Sequence, residues 1–254
     1  MSTQKSLSIT LVLLIITVAC ATAQTNKSYA PLVTGDGIKL DFDYYPAILP
    51  SSPTVILLPD TRCDRKNFGT FPAKLNEAGF NVLALDLRYK DLVSRARGRE
   101  GAIQAISKQD LNILADQDVK SAIDYLLRQD NVDPKRICIL GTSLGSRVAL
   151  QSGVKYTAKA LVLISLSGEE IFLVPGGTPI KLLLSEYGDR PILFMTSEKD
   201  WGNNYKAAED NKGYVKSVKG ISELKIWPGS AHGVDILNKG EVSEFVLSWL
   251  KKNI

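Results

Sequence analysis

From Tyr29 onward, short apolar runs alternate with amphipathic segments. Residues 54–59 (TVILLP) and 80–87 (FNVLALDL) are almost continuously apolar and rich in β-branched and aromatic side chains, the pattern of strands covered on both faces. Residues 38–46 (IKLDFDYYP) alternate with period two behind the turn-forming TGDG, and predict an earlier strand. Between the two apolar runs, 66–79 (KNFGTFPAKLNEAG) reads as a helix closed by Gly79, with its start blurred by Gly69 and Pro72. The clearest helix is 110–129, where Leu111, Leu114, Val119, Ile123, Leu126 and Leu127 keep mostly to helical spacing.

The alternation continues. RICIL at 136–140 predicts a buried strand, SLGSRVALQSG at 143–153 a short helix, and KALVLISL at 159–166 another strand. RPILFMTS (190–197) and LKIWP (224–228) predict two more strands, with a polar helix within 203–220 between them. EVSEFVLSWLKKN closes the chain as an amphipathic helix with lysines near its C-terminal end, where they oppose the dipole. This order predicts an α/β fold, a largely parallel sheet with helices on both faces. Residues 167–188, with their Gly and Pro, interrupt it and predict a small insertion over the sheet near the active site. Its Ile171, Phe172, Leu173 and Leu182 to Leu184 either line a pocket or belong to the core.

Composition changes this picture little. A chain of 254 residues, 44% hydrophobic, suits one α/β domain or two small ones. No repeat, low-complexity tract or linker divides it, so residues 24–254 read as one domain. The net charge of +4 comes from interspersed residues. No long basic stripe is present, which argues against a nucleic-acid partner. The densest basic cluster, SRARGRE at 94–100, reads as a solvated loop, with an anion site as the alternative.

The first 23 residues read as a signal peptide: MSTQKSLS, an uncharged apolar core, then small residues ending in Ala21-Thr22-Ala23. The core runs about a dozen residues against the ~20 of a spanning helix, so no permanent membrane span is expected. Cleavage would leave Gln24 first and make the protein secreted or periplasmic; the alternative is a lipid anchor on Cys20. In that oxidising setting only Cys63 and Cys138 remain, Cys138 as a buried inert thiol, with a bridge between them conceivable. One histidine and two thiols hardly build a metal site, and no cofactor is expected.

Candidate chemistry centres on Gly141-Thr142-Ser143-Leu144-Gly145. A serine hydroxyl needs a base, a group that orients the base, and donors for the oxyanion. G-x-S-x-G between a strand and a helix puts Ser143 on a sharp turn, with the Leu144 N–H as one oxyanion donor. The alternative is a helix N-cap between two glycines. His232, the sole histidine, lies between the last strand and the last helix, on the same sheet edge as the serine turn. The orienting acid should follow the penultimate strand, where Asp200 is the first choice and Glu198 the second.

With these residues in view, the chain resembles the α/β-hydrolase superfamily, in its dienelactone-hydrolase-like and prolyl-oligopeptidase-like branch. AIDYLLRQDNVDPKRICILGTSLGSRVAL, PILFMTSEKD and GSAHG stand where that family has its pre-elbow helix, elbow, acid loop and histidine loop. The resemblance implies Ser143 as nucleophile, Asp200 as orienting acid and His232 as general base, acting on a small or medium ester through an acyl-enzyme. Peptidase or thioesterase action on the same triad stays open. The family usually has His-Gly where this chain has Pro59-Asp60. By position Thr61 supplies the second oxyanion N–H, and Arg62 or Arg65 is expected to pair with Asp60. If that loop is spoiled, the alternative is a non-catalytic binding protein of the same fold. Ser146 replaces a glycine found in many relatives and is small enough to be tolerated.

Overall fold

The computed structural model describes residues 30–61, 63–88, 110–166, 178–200 and 206–254. The signal-peptide reading, Cys20, Arg62, the basic cluster at 94–100 and Ile171 to Leu173 lie outside the described residues. A two-stranded antiparallel ribbon, β1 (Leu32–Val33) and β2 (Lys39–Leu40), precedes the main sheet. The sheet is built from β3 (Phe42–Tyr45), β4 (Ser52–Leu58), β5 (Asn81–Leu85), β6 (Val132–Thr142), β7 (Ala160–Ile164), β8 (Ile192–Ser197) and β9 (Ser222–Trp227). Among the described residues it has seven strands in the order β3-β5-β4-β6-β7-β8-β9, all parallel except β3, which pairs antiparallel with β5. The chain runs from β4 outward to β5 and then returns to place β6 on the other side of β4. That reversal is a topological switch point, and the loops beyond β4 and β6 are neighbours there.

The helices are α1 (Phe71–Glu77), α2 (residues 111–126), α3 (Leu144–Lys155), α4 (Ile180–Tyr187), α5 (Ala207–Val215), α6 (Val234–Leu237) and α7 (Gly240–Asn253). Period-two alternation sends strand side chains to two cores. Ile56, Leu58, Ile139, Leu161, Leu163 and Phe194 meet α2 to α5 on one face. Val55, Leu57, Leu140, Val162, Leu193 and Met195 meet α1, α6 and α7 on the other. Both faces are covered, so the strands carry continuous apolar runs.

Two expectations change. The stretch read as an insertion contains α4, the helix that joins β7 to β8. Its Ile180, Leu183, Leu184 and Tyr187 are buried in the core with α3, whereas Leu182 is exposed. This part of 167–188 is therefore an ordinary crossover helix and core; the remainder lies outside the described residues. The helix expected over 66–79 is broken into a 3-10 turn, Arg65–Phe68, and α1. The turn is capped by Asp64, and Pro72 sits in the first turn of α1, where its missing N–H is not needed.

Helix α2 is not uniform. Leu111–Ile113 and Lys120–Leu126 are α-helical, but Leu114–Val119 forms a π turn. Asp118 in that turn is fully buried and accepts from Arg88 Nε at 2.6 Å and the Arg88 backbone N–H at 2.9 Å. Burial outweighs the Arg88 bonds and pushes its pKa up from 3.8 to about 6. Between those values the folded state holds a proton that the unfolded chain has lost. This group's contribution is therefore full below about pH 4, falls as pH rises to about 6 and is flat above. Wild type should be more stable near pH 5 than near pH 7 by roughly 1 kcal/mol relative to the same comparison in Asp118→Asn. Parallel urea midpoints for the two proteins across that range would refute the assignment.

Candidate active site

Strand β6 ends at Thr142 and α3 starts at Leu144, leaving Ser143 alone on the turn at φ 53° and ψ −117°. A non-glycine residue there is strained. The turn is held by its surroundings: the Ser143 N–H donates to the Ile164 carbonyl at 2.8 Å, and the Ser146 N–H donates to the Ser143 carbonyl at 2.9 Å. The two glycines answer to space. A Cβ on Gly141 would lie 2.1 Å from the Gly145 oxygen, and one on Gly145 would lie 2.3 Å from the Leu58 oxygen. Ser146 does more than fit. Its buried hydroxyl lies 2.7 Å from both the Gly141 and Ile164 carbonyls, sharing its proton between the two strands that hold the elbow.

His232 follows β9 and α6 begins two residues later. Its Nε2 is 2.9 Å from Ser143 Oγ, and its Nδ1 is 2.5 Å from Asp200 Oδ1. An ionised carboxylate only accepts, so Nδ1 carries the proton and Nε2 is left to accept from the serine hydroxyl. Asp200 is 1% exposed, whereas Glu198, the second-choice acid, points into solvent. Burial decides between them: the imidazole sits 14% exposed, and only the inward carboxylate reaches it. The acid and histidine loops are zipped together beyond the sheet. The Glu198 N–H donates to the Trp227 carbonyl at 2.9 Å, the Lys199 N–H to the Gly229 carbonyl at 3.0 Å, and the Ser197 hydroxyl to the Ala231 carbonyl.

Two further side chains reach Asp200 and were not found from the sequence. Ser165, just past β7, donates to Oδ2 at 2.6 Å, and Thr196, near the end of β8, donates at 2.7 Å. No local motif marks Ser165, which lies 35 positions from its partner. Its only signal was its place at the C-terminal end of a predicted strand, on the edge shared with Ser143.

A profile of the dienelactone hydrolase family matches residues 43–241, well over half of the chain. The chain belongs to the dienelactone hydrolase family. It is also 32% identical over 133 residues to Rv2307c, an uncharacterized protein of Mycobacterium tuberculosis. That match covers 52% of this chain and 43% of the relative, so the chain spans less than half the length of the curated relatives it matches. Solved structures share the fold. Dienelactone hydrolase from Anabaena variabilis superposes with a TM-score of 0.62 at 18% identity, over 90% of this chain and 96% of that one. The α/β hydrolase GrgF from Penicillium gives 0.65 at 17% identity, over 88% and 97%. Est1E from Butyrivibrio proteoclasticus, solved with ferulic acid, gives 0.63 at 17% identity, over 86% and 96%. Family and fold agree: the chain is a member of the dienelactone hydrolase family with the α/β-hydrolase architecture.

Within this family the Pro59-Asp60 substitution needs its own account. Leu58 pairs with Gly141, so the turn after β4 emerges beside the elbow, and Gly145 packs on the Leu58 and Pro59 carbonyls. The half-buried Thr61 and the first α3 residue, Leu144, therefore share one edge of the hydrolase sheet. Asp60 is buried beside them. Of the two arginines expected to pair with it, Arg62 lies outside the described residues and Arg65 is directed elsewhere. The Asp64-capped turn aims Arg65 at the sheet edge, where it meets Asp86 at 2.5 Å and Asp43 at 3.1 Å. The Cys63 thiol lies beside Asp60, and burial, followed by the Asp60 charge, pushes its pKa up. Cys63 and Cys138 are both free thiols, not a disulfide, and Cys138 is fully buried in the core. Among the described residues no group of side chains is arranged to hold a metal, and no helix is long and apolar enough to cross a membrane.

Proposed function

We propose that this hydrolase is a serine enzyme that cleaves small or medium carboxylic esters through an acyl-enzyme. The observation that carries the reading is the 2.9 Å approach of His232 Nε2 to Ser143 Oγ, backed by Asp200 at 2.5 Å. In the proposed course His232 takes the Ser143 proton as Oγ attacks the ester carbonyl. The Leu144 and Thr61 N–H groups receive the oxyanion. The imidazolium then protonates the leaving alkoxide, and Asp200 remains ionised and stabilises the positive ring. Water, deprotonated at His232, attacks the acyl-serine and regenerates the hydroxyl. The reaction consumes only ester and water.

A fluorophosphonate probe tests the assignment directly. The expected adduct is on Ser143, is absent from Ser143→Ala, and blocks hydrolysis of p-nitrophenyl esters. A feruloyl ester belongs in the substrate panel because a neighbour was solved with ferulic acid. Folded protein that takes no label at Ser143 would defeat the reading. The buried Asp60 beside the proposed oxyanion loop motivates the non-catalytic alternative, and turnover lost in Ser143→Ala removes it. The signal-like residues 1–23 place the reaction outside the cytoplasm in this proposal. The intact mass of the labelled protein also reads the N-terminus, separating a chain that begins at Gln24 from one acylated on Cys20.

A further inference from the structure

A carboxylate as buried as Asp200 needs more donors than one imidazole N–H supplies. Its Oδ1 takes the His232 Nδ1–H, and its Oδ2 takes the hydroxyls of Ser165 and Thr196, both fully buried. Ser165 has a second bond. Its oxygen accepts the N–H of Gly233, the residue after His232, at 2.9 Å. One hydroxyl thus joins the acid to the loop that carries the base.

The backbone at Ser165 makes the choice of residue informative. It stands at φ 56°, in the left-handed region, while its N–H is anchored to the Met195 carbonyl at 2.7 Å. Glycine would occupy that conformation without strain. A serine is strained there, and its hydroxyl bonds to Asp200 and to the Gly233 N–H both lead to the candidate triad. Gly233 is itself confined: it sits at φ 52°, and a Cβ on it would lie 2.6 Å from Asp60 Oδ2. The peptide after His232 is therefore held between the Ser165 hydroxyl and the Asp60 carboxylate.

We infer that Ser165, seconded by Thr196, is a positioning residue of the hydrolytic site: it fixes the Asp200 carboxylate and the His232 loop relative to one another. The inference rests on the proposed function and deepens it. Without the hydroxyl, Oδ2 loses a donor and the Gly233 N–H loses its acceptor. The carboxylate can then rotate and the imidazole no longer faces Ser143 in one orientation. Thr196 can hold Oδ2 but does not touch the histidine loop through any bond described, so its removal alone should matter less.

Ser165→Gly and Thr196→Val test this. Glycine relieves the positive φ, and valine keeps the shape of threonine, so both variants should fold, as thermal melting will show. Ser165→Gly should lose about 10–100-fold in kcat with KM unchanged, by analogy with the loss of hydrogen-bond partners that orient metal-bound histidines. The double variant should lose more than the product of the singles, because the last hydroxyl on Oδ2 is then gone. A second readout does not depend on turnover. His232 is the only histidine in the chain, so its Nδ1–H gives one assignable downfield proton resonance. That resonance should shift in Ser165→Gly and broaden in the double variant. A folded double variant with wild-type kcat and an unmoved resonance overturns the inference. Failure of the hydrolase reading looks different: Ser143→Ala would then turn over esters as wild type does, whereas failure of this inference alone leaves Ser143→Ala inactive and Ser165→Gly fully active.

Discussion

Ser143→Ala and His232→Ala should each lower kcat for a p-nitrophenyl ester by about 10⁶-fold, and the double variant should be no worse than either single. The reason is that the two groups perform one act. Without the imidazole, the hydroxyl keeps its proton; without the hydroxyl, the imidazole has nothing to deprotonate at 2.9 Å. Asp200→Asn should cost about 10⁴-fold, because an amide in place of the carboxylate favours the wrong imidazole tautomer. Glu198→Gln, on the exposed part of the same loop, should behave as wild type. Steady-state kinetics on these five variants checks the set. Losses that multiply in the double variant, or a large effect at Glu198, would show that these residues do not act as the unit proposed.

Gly145→Ala should destabilise the protein by more than about 3 kcal/mol, while Gly213→Ala should stabilise it by about 0.5–1 kcal/mol. Both positions are helical, so intrinsic propensity favours alanine at each. Space reverses the sign at Gly145. The new methyl would stand 2.3 Å from the Leu58 oxygen and 2.6 Å from the Pro59 oxygen, and both obstacles are backbone. Relief requires the end of β4 to part from the first turn of α3, which also displaces Thr61. A Cβ added to Gly213 would meet no atom within 4 Å beyond its own helix backbone. Urea midpoints measure both changes. A Gly145→Ala protein as stable as wild type would mean that the elbow does not pack against β4 as closely as described.

The consequence reaches the candidate site, because the strand leading to Ser143 and the strand preceding Thr61 are neighbours at the switch point. A packing fault at Gly145 is therefore a fault in the candidate site. The same reasoning explains why Ser146 was only partly legible. Its small size predicted tolerance, but its hydroxyl bonds to Gly141 and Ile164 could be seen only with β6 and β7 side by side.

What the chain determines by itself is local. Near-continuous apolar runs at 54–59 and 80–87 marked strands covered on both faces, and the periodicity of 110–129 marked α2. These signals survive in sequence because a strand or helix repeats its burial every two or three to four residues. The spacing Gly141-x-Ser143-x-Gly145 is legible for a similar reason: the turn and the close approaches it permits lie within five residues. The π turn that buries Asp118 escaped that reading, since one extra residue per turn barely disturbs an apolar stripe. The leading Gly and Pro of 167–188 likewise hid the helix α4, whose Ile180, Leu183 and Leu184 are core.

Only the tertiary structure decided which distant side chains meet. It put buried Asp200, not exposed Glu198, against His232, turned Arg65 toward Asp43 and Asp86, and brought Ser165 and Thr196 to Asp200. Each outcome depends on which strands lie side by side and how far each loop projects beyond them. Those quantities are set by packing across the whole sheet, and no spacing within a single segment encodes them.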